Sequence, residues 1–200
     1  MNKFNLSVLW LILGTVQLGL LGCGPAVQPI SYHTLTGFPA ATETRDNHSQ
    51  LVLQIGPVNL PDRLKQSRLV FGTNGTFQFS DQHRWADDLD HDIARAIGEQ
   101  LAVRLKTEQI ALFPENRYAQ ITCQIVLDVL TLEGLPGQEA SFSVRWSIID
   151  PDTRAVRFVR RSTFGRQPTD SSQAAWVATQ RQNIAALSEE IARAIQTGSW

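Results

Sequence analysis

Three consecutive runs in the second half of the chain alternate apolar and polar residues with a period of two, and few architectures satisfy that pattern. In Ala119–Glu133 the odd positions Ile121, Cys123, Ile125, Leu127 and Val129 are apolar, with Thr122, Gln124 and Asp128 between them. From Ala140 the series Ala140, Phe142, Val144, Trp146, Ile148 alternates with Ser141, Ser143, Arg145 and Ser147. A third run is marked by Val156, Phe158 and Phe164. This spacing sends every second side chain to one face of a strand. Leu135-Pro136-Gly137 and Asp150-Pro151-Asp152-Thr153 separate the runs with turn-forming residues. Three strands joined by short turns predict an antiparallel meander with one apolar face, and that face needs a cover.

Two amphipathic segments can provide it. In Arg84–Leu105 the residues Leu89, Ile93, Ile97, Leu101 and Leu105 recur every fourth position and Ala96 widens the stripe. Asp87, Asp88, Asp90 and Asp92 crowd its first turns and Arg104 and Lys106 its end, as the helix dipole favours. Asp87 or Asp88 is expected to supply the N-cap. Ser171–Ile195 carries a second stripe, Val177, Ile184, Leu187, Ile191 and Ile195, with Trp176 beside it, a serine cap at Ser171 or Ser172, and Gly198 placed to end it. Shorter strands are expected at Ser31–Leu35, Leu51–Val58, Arg68–Phe71, Thr76–Phe79 and Ile110–Phe113. Asn74-Gly75 serves as a hairpin turn and Asn59-Leu60-Pro61-Asp62 as a turn after the second strand. The predicted fold is α+β: a two-layer sandwich in which a largely antiparallel sheet is covered by two amphipathic helices.

The first residues constrain location. Lys3 precedes an apolar run from Leu6 to Leu21, which ends in Leu20-Leu21-Gly22-Cys23. A basic start, an apolar stretch and a small residue before the cut describe a secretory signal. Cysteine in the next position resembles the bacterial lipobox, in which the thiol takes a diacylglyceryl group and heads the mature protein. The expected organisation is a lipoprotein signal peptide over 1–22, then the lipidated Cys23 with a tether and a first short strand over 23–50, then the α+β domain over 51–200. If the strand at Ser31 docks, about seven residues separate lipid from fold, a span of at most ~25 Å at ~3.3 Å per residue. Gly24 after the cysteine, where aspartate tends to retain lipoproteins at the inner membrane, favours the outer membrane. With Cys23 acylated, Cys123 is the only thiol left, so no intramolecular disulfide forms.

The residues offer little for chemistry. A formal charge of −1 gives no electrostatic case for nucleic acid. His83 and His91 lie near four aspartates, but neither a spaced zinc set nor a calcium loop is present, and the helix dipole accounts for the carboxylates. No nucleophile elbow, phosphate-binding loop or dinucleotide fingerprint occurs, and Cys123 belongs to an apolar strand face where a thiol is inert. The expectation is no enzyme, no metal and no cofactor. Trp85 and Trp146 are read as core anchors. Arg154, Arg157, Arg160, Arg161 and Arg166 make the last strand basic, either a solvated edge that resists sheet-to-sheet pairing or a docking surface for an acidic partner.

Ile55-Gly56-Pro57-Val58-Asn59-Leu60-Pro61-Asp62 followed by Leu64, and Arg84-Trp85-Ala86 followed by Leu89-Asp90 and Ile93-Ala94, resemble the PqiC family of ABC-type transport auxiliary lipoproteins. Tyr32-His33-Thr34-Leu35, Val144-Arg145-Trp146 and Ile191-Ala192-Arg193-Ala194-Ile195 match its remaining parts in order. The chain departs from the family pattern at Lys65-Gln66-Ser67-Arg68, where relatives often carry an Asp-Arg-Pro run. The resemblance implies a non-enzymatic, outer-membrane-anchored subunit of an MCE-type system that moves lipids between the two membranes and supports membrane integrity. Its implied partners are a periplasm-spanning MCE-domain protein, the inner-membrane transporter behind it, and the inner leaflet of the outer membrane, reached through an acyl chain such as palmitate on Cys23. Partner contacts are expected at Asn59, Leu60, Pro61 and Asp62 and at Arg157 and Arg160, and several copies around a tubular partner suit such a role. A structural envelope lipoprotein without transport, or a lipid-tethered hydrolase or metalloenzyme, are the alternatives.

Overall fold

The structure is a computed structural model that describes residues 29–37, 51–115, 117–118 and 120–198. The expected signal peptide, Cys23 and most of the expected tether lie outside the described residues. Among the described residues eight strands and two helices follow in order: β1 Ser31–His33, β2 Leu53–Asn59, β3 Arg68–Thr73, β4 Thr76–Trp85, α1 Leu89–Leu105, β5 Ile110–Leu112, β6 Cys123–Glu133, β7 Ala140–Ile149, β8 Val156–Arg166 and α2 Gln173–Thr197, with a 3-10 turn at Asp62–Leu64. A five-stranded sheet has the order β5-β2-β6-β7-β8, and a three-stranded sheet the order β1-β4-β3. The fold is α+β, and its longer ladders are antiparallel, β6 with β7 and β7 with β8.

The meander forms because its alternation matches burial. Cys123, Ile125 and Leu127 on β6 and Phe142, Val144, Trp146 and Ile148 on β7 are fully buried, and both helices pack on that face. α1 lies over β2 and β5, α2 over β7 and β8. Leu89, Ile93, Ile97 and Leu101 of α1 are at most 3% exposed, and burial of each such side chain is worth about 1.5–3 kcal/mol. The indole of Trp146 donates to Ser162 Oγ at 3.1 Å, which satisfies its one polar atom in the core. Ser172 caps α2 by accepting from Ala175 N, and Gly198 ends it in the left-handed conformation.

β2 was expected from its apolar run, and its position explains that run. It sits between β5 and β6 and pairs parallel with both, so Leu53, Gln54 and Ile55 are all buried. Pro57 has no N–H for the ladder, and the β2–β6 register shifts between Ile55 and Val58. Gln124 covers the irregularity by donating to the Gly56 carbonyl at 2.8 Å, and it accepts from Arg154 at 3.1 Å.

Two sequence expectations need correction. Arg84-Trp85 does not open the first helix. It ends β4, where Trp85 is 3% exposed and pairs with His33, so the helix begins five residues later, at Leu89. Asp88 occupies the N-cap position, but its side chain makes no capping bond. The second sheet was not foreseen as separate. It meets the first through Gly72 and Gly134, which exchange backbone hydrogen bonds of 3.1 and 2.8 Å. A Cβ on Gly72 would stand 2.1 Å from the Thr76 carbonyl oxygen, so no other residue permits this approach.

Both helices also hold buried polar groups that the apolar stripes do not predict. Gln180 of α2 donates to the carbonyls of Glu133 and Ser141 at 3.2 and 3.1 Å, and Asn183 donates to that of Ala140 at 3.0 Å. These carbonyls belong to the mouth of the β6–β7 hairpin, so polar side chains as well as the apolar stripe tie α2 to the sheet there. Asp92 of α1 is fully buried and accepts from Thr34 Oγ1 at 2.7 Å and from Leu35 N at 2.6 Å. Arg181 of α2 donates to the Thr34 carbonyl through two nitrogens at 2.8 and 2.5 Å. The stretch after β1 is thereby clamped between the helices, and Leu35 is wholly buried.

Candidate functional site

The turn after β2 and the start of α1 meet at a cleft of about 520 Å³. Its floor is apolar: Pro57, Val58 and Leu60 from the β2 side, Leu89 and Ala94 from α1, and Phe113 from the loop after β5. Gly56 makes the approach of Phe113 feasible. Its φ is +104°, and a Cβ there would meet Phe113 Cβ at 3.2 Å. The rim is polar, with Asn59, Lys65 and Gln66 on one side and Asp88, Asp90 and His91 on the other.

The rim residues are differently occupied. Asn59 donates to Asp128 Oδ1 at 2.8 Å, while Arg145 takes Oδ2 at 2.9 Å. Burial works against the charge on Asp128, but the bonds from Asn59 and Arg145 prevail and hold its carboxyl below the usual range. Leu60 is 8% exposed and anchors the turn from below. The Leu64 N–H closes the 3-10 turn on the Pro61 carbonyl at 2.8 Å. Asp62 is exposed and accepts from Lys65 Nζ at 2.8 Å, and that bond lowers its pKa. Arg63 fixes the turn to the sheet through Glu133 at 3.1 Å and lies over the Phe77 ring. Asp88 and Asp90 make no ion pair among the described residues, so the α1 side of the rim keeps two uncompensated carboxylates. Asp87 beside them is taken by Arg95 at 2.9 Å.

Among the described residues the lining contains no serine, threonine, cysteine or tyrosine, and so no hydroxyl or thiol nucleophile for His91 to activate. Among the described residues no three His, Cys, Asp or Glu side chains gather as they would round a metal ion. His83 is drawn away from His91 onto His33, with Nε2 and Nδ1 2.8 Å apart. Cys123 is buried, and burial pushes its thiol up to about 12. What the cleft can do is bind: an apolar floor beside two carboxylates suits a protein segment presenting a large apolar residue next to a lysine or arginine.

Arg157 and Arg160 do not join this site. They lie on β8, separated from β2 by β6 and β7. Arg157 pairs with Asp150 at 2.6 Å, and Arg160 pairs with Glu190 of α2 at 2.8 Å while covering the Phe158 ring. Sequence reasoning missed Phe113 and Pro114, which reach the cleft only because β5 pairs with β2. No periodic signal marks that pairing.

Solved structures with the same fold exist. One, described as an uncharacterized protein, superposes with a TM-score of 0.68 at 17% identity and covers 84% of this chain and 99% of its own. Protein XCC0632 from Xanthomonas campestris superposes with a TM-score of 0.64 at 16% identity, covering 82% and 93%. At these identities the fold is what is shared. No curated protein matches the sequence. A family model does, across residues 33–192, from β1 to the last turns of α2. It takes in every element that builds the cleft, and the chain belongs to the family of ABC-type transport auxiliary lipoprotein components.

Proposed function

We propose that the chain is a non-enzymatic, lipid-anchored subunit of an MCE-type lipid transport system, which docks the periplasm-spanning MCE protein at the outer membrane. One observation carries the reading. Two segments carry the family resemblance, Ile55–Asp62 and the stretch from Arg84-Trp85-Ala86 to Ile93-Ala94. Of these, the parts Ile55–Leu60 and Leu89, Asp90 and Ala94 are far apart in sequence yet line one cleft with binding character and, among the described residues, no hydroxyl or thiol nucleophile. Cys23 is the anchor, and Asn59, Leu60, Pro61 and Asp62 form the wall the partner meets. Arg157 and Arg160, already paired to Asp150 and Glu190, contribute less than the cleft. Several copies would present several clefts to a tubular partner.

The test is capture from detergent-solubilised envelopes. The native chain should retain an MCE-domain protein and its inner-membrane transporter. Phe113→Asp with His91→Glu, both at exposed positions on the cleft, should reduce recovery at least tenfold while the fold is kept. Equal recovery would remove the cleft from the interface, and repeated absence of any MCE protein from the native capture would overturn the functional reading. Cys23→Ala should abolish palmitate labelling.

A further inference from the structure

The three-stranded sheet has an outer face that the core does not use. Tyr32 of β1 pairs with Arg84 of β4, and Arg84 pairs with Arg68 of β3, so the three side chains form one row across the sheet. Their neighbours His33, His83 and Trp85 occupy the inner face, where the two imidazoles bond each other and Trp85 is buried. Tyr32 is 64% exposed. Ile30, two residues earlier, is also exposed, as is Phe79, whose ring lies under the Arg68 guanidinium at 5.7 Å. Arg68 is engaged by Asp81 and by the carbonyls of Phe79 and Ser80, whereas Arg84 makes no ion pair among the described residues. Tyrosine, isoleucine and phenylalanine around an uncompensated arginine is the composition of side chains that settle at a membrane–water interface, rings at headgroup depth and guanidinium on phosphate.

Chain length says which surface this face meets. Eight residues separate Cys23 from Tyr32, and at ~3.3 Å each they extend no more than about 30 Å. The other exposed aliphatic pair, Val156 and Val159, lies on β8 in the other sheet and has no such short link to the anchor.

We infer that the Ile30–Tyr32–Arg84–Phe79 face rests on the phospholipid headgroups of the leaflet that holds the Cys23 acyl chains, so that anchor and sheet together fix the domain's orientation. This rests on the acylation of Cys23 proposed above. The buried, unreactive Cys123 allows a single thiol probe to be placed in the acylated full chain. An environment-sensitive fluorophore on Tyr32→Cys is compared with the same fluorophore on Val159→Cys, which also replaces an exposed apolar residue. Both proteins are reconstituted into phosphatidylethanolamine–phosphatidylglycerol vesicles containing a lipid-borne quencher. The probe at 32 should be quenched at least fivefold more than the probe at 159, and Arg84→Glu should remove most of that difference. Protein that floats with the vesicles but shows equal quenching at the two positions overturns the inference and leaves the lipoprotein reading standing. Protein that does not float removes the anchor and overturns both. A shift at 32 that appears without vesicles and grows with protein concentration would assign the face to a second copy of the chain instead.

Discussion

Removing the Asp92 carboxylate should detach the first strand without unfolding the domain. Asp92 accepts two bonds, from Thr34 Oγ1 and Leu35 N, at a site with no solvent exposure. Hydrogen bonds to a charged group contribute about 1.5–3 kcal/mol each, so Asp92→Ala would cost about 3–6 kcal/mol if residues 29–37 stayed in place. Leaving is the cheaper route. Detachment gives up the burial of Leu35, about 1.5–3 kcal/mol, the Arg181 bonds to Thr34, and a three-residue ladder to β4. Against this, each residue released recovers about 1–2 kcal/mol of backbone entropy. The segment is therefore held by a small surplus that Asp92 dominates. Hydrogen exchange followed by mass spectrometry or NMR should show the Leu35 amide losing protection by about a hundredfold, the equivalent of about 3 kcal/mol. Amides in the middle of α1 and α2 should keep theirs to within about one order of magnitude, since the helix pair packs on the large sheet independently of β1. Unchanged protection at Leu35 would refute the clamp, and a parallel loss throughout both helices would refute the claim that β1 is separable.

Acid should act on the same segment. His33 is held below its usual pKa by burial first, then by His83 and Arg181. The groups facing it are the imidazole of His83 from β4, Arg181 from α2 and the Asp92 carboxylate of α1 next to the following residues. A neutral His33 favours the docked state above about pH 6.5, and that stabilisation disappears as pH falls through the lowered folded value. The protection factor at Leu35, corrected for the pH dependence of intrinsic amide exchange, should fall between pH 7 and pH 5 more than that at Ile191, and His83→Gln should weaken the dependence. Cys123, with its thiol raised to about 12, should take up no iodoacetamide at pH 8 in the folded protein and react fully in guanidinium chloride. Gln180→Leu would remove one donor from each of the Glu133 and Ser141 carbonyls, a net loss of about 0.5–1.5 kcal/mol per bond. The melting temperature should fall by roughly 2–4 °C per kcal/mol for a domain of this size, as read by calorimetry.

The meander and both helices were legible because their periodicities are strong and their burial is one-sided. Phe142, Val144, Trp146 and Ile148 face the core as the alternation requires. What was not legible depends on partners distant in the chain. β2 and β5 are adjacent although more than fifty residues separate them, and this pairing places Phe113 in the cleft. The apolar stripe that begins nearby makes Arg84-Trp85 look helical in sequence, but Trp85 finds its burial as a strand residue against β1. In sequence Asp92 is one of a dipole-compensating cluster. Its actual task is set by two groups from a segment some fifty-eight positions earlier. Of the residues expected to meet a partner, Asn59 and Leu60 line the cleft and Pro61 and Asp62 continue the turn beside it, while Arg157 and Arg160 are tied to the protein's own carboxylates.

The bond from Arg181 to Thr34 joins the two ends of the fold and so imposes an order on its assembly. A chain delivered from its N-terminus exposes Thr34 and Leu35 first, but neither has a resting place until α1 has formed, and Arg181 arrives with the last helix. β2 likewise waits for residues beyond 110 before it has a neighbour on either side, which is the kind of distant pairing that slows folding. Until then position 23 is separated from β2 by twenty-nine residues, against seven from β1. With the anchor proposed at Cys23, the domain would be drawn close to the membrane only on completion, a built-in sequence in which the final helix reels in the first strand.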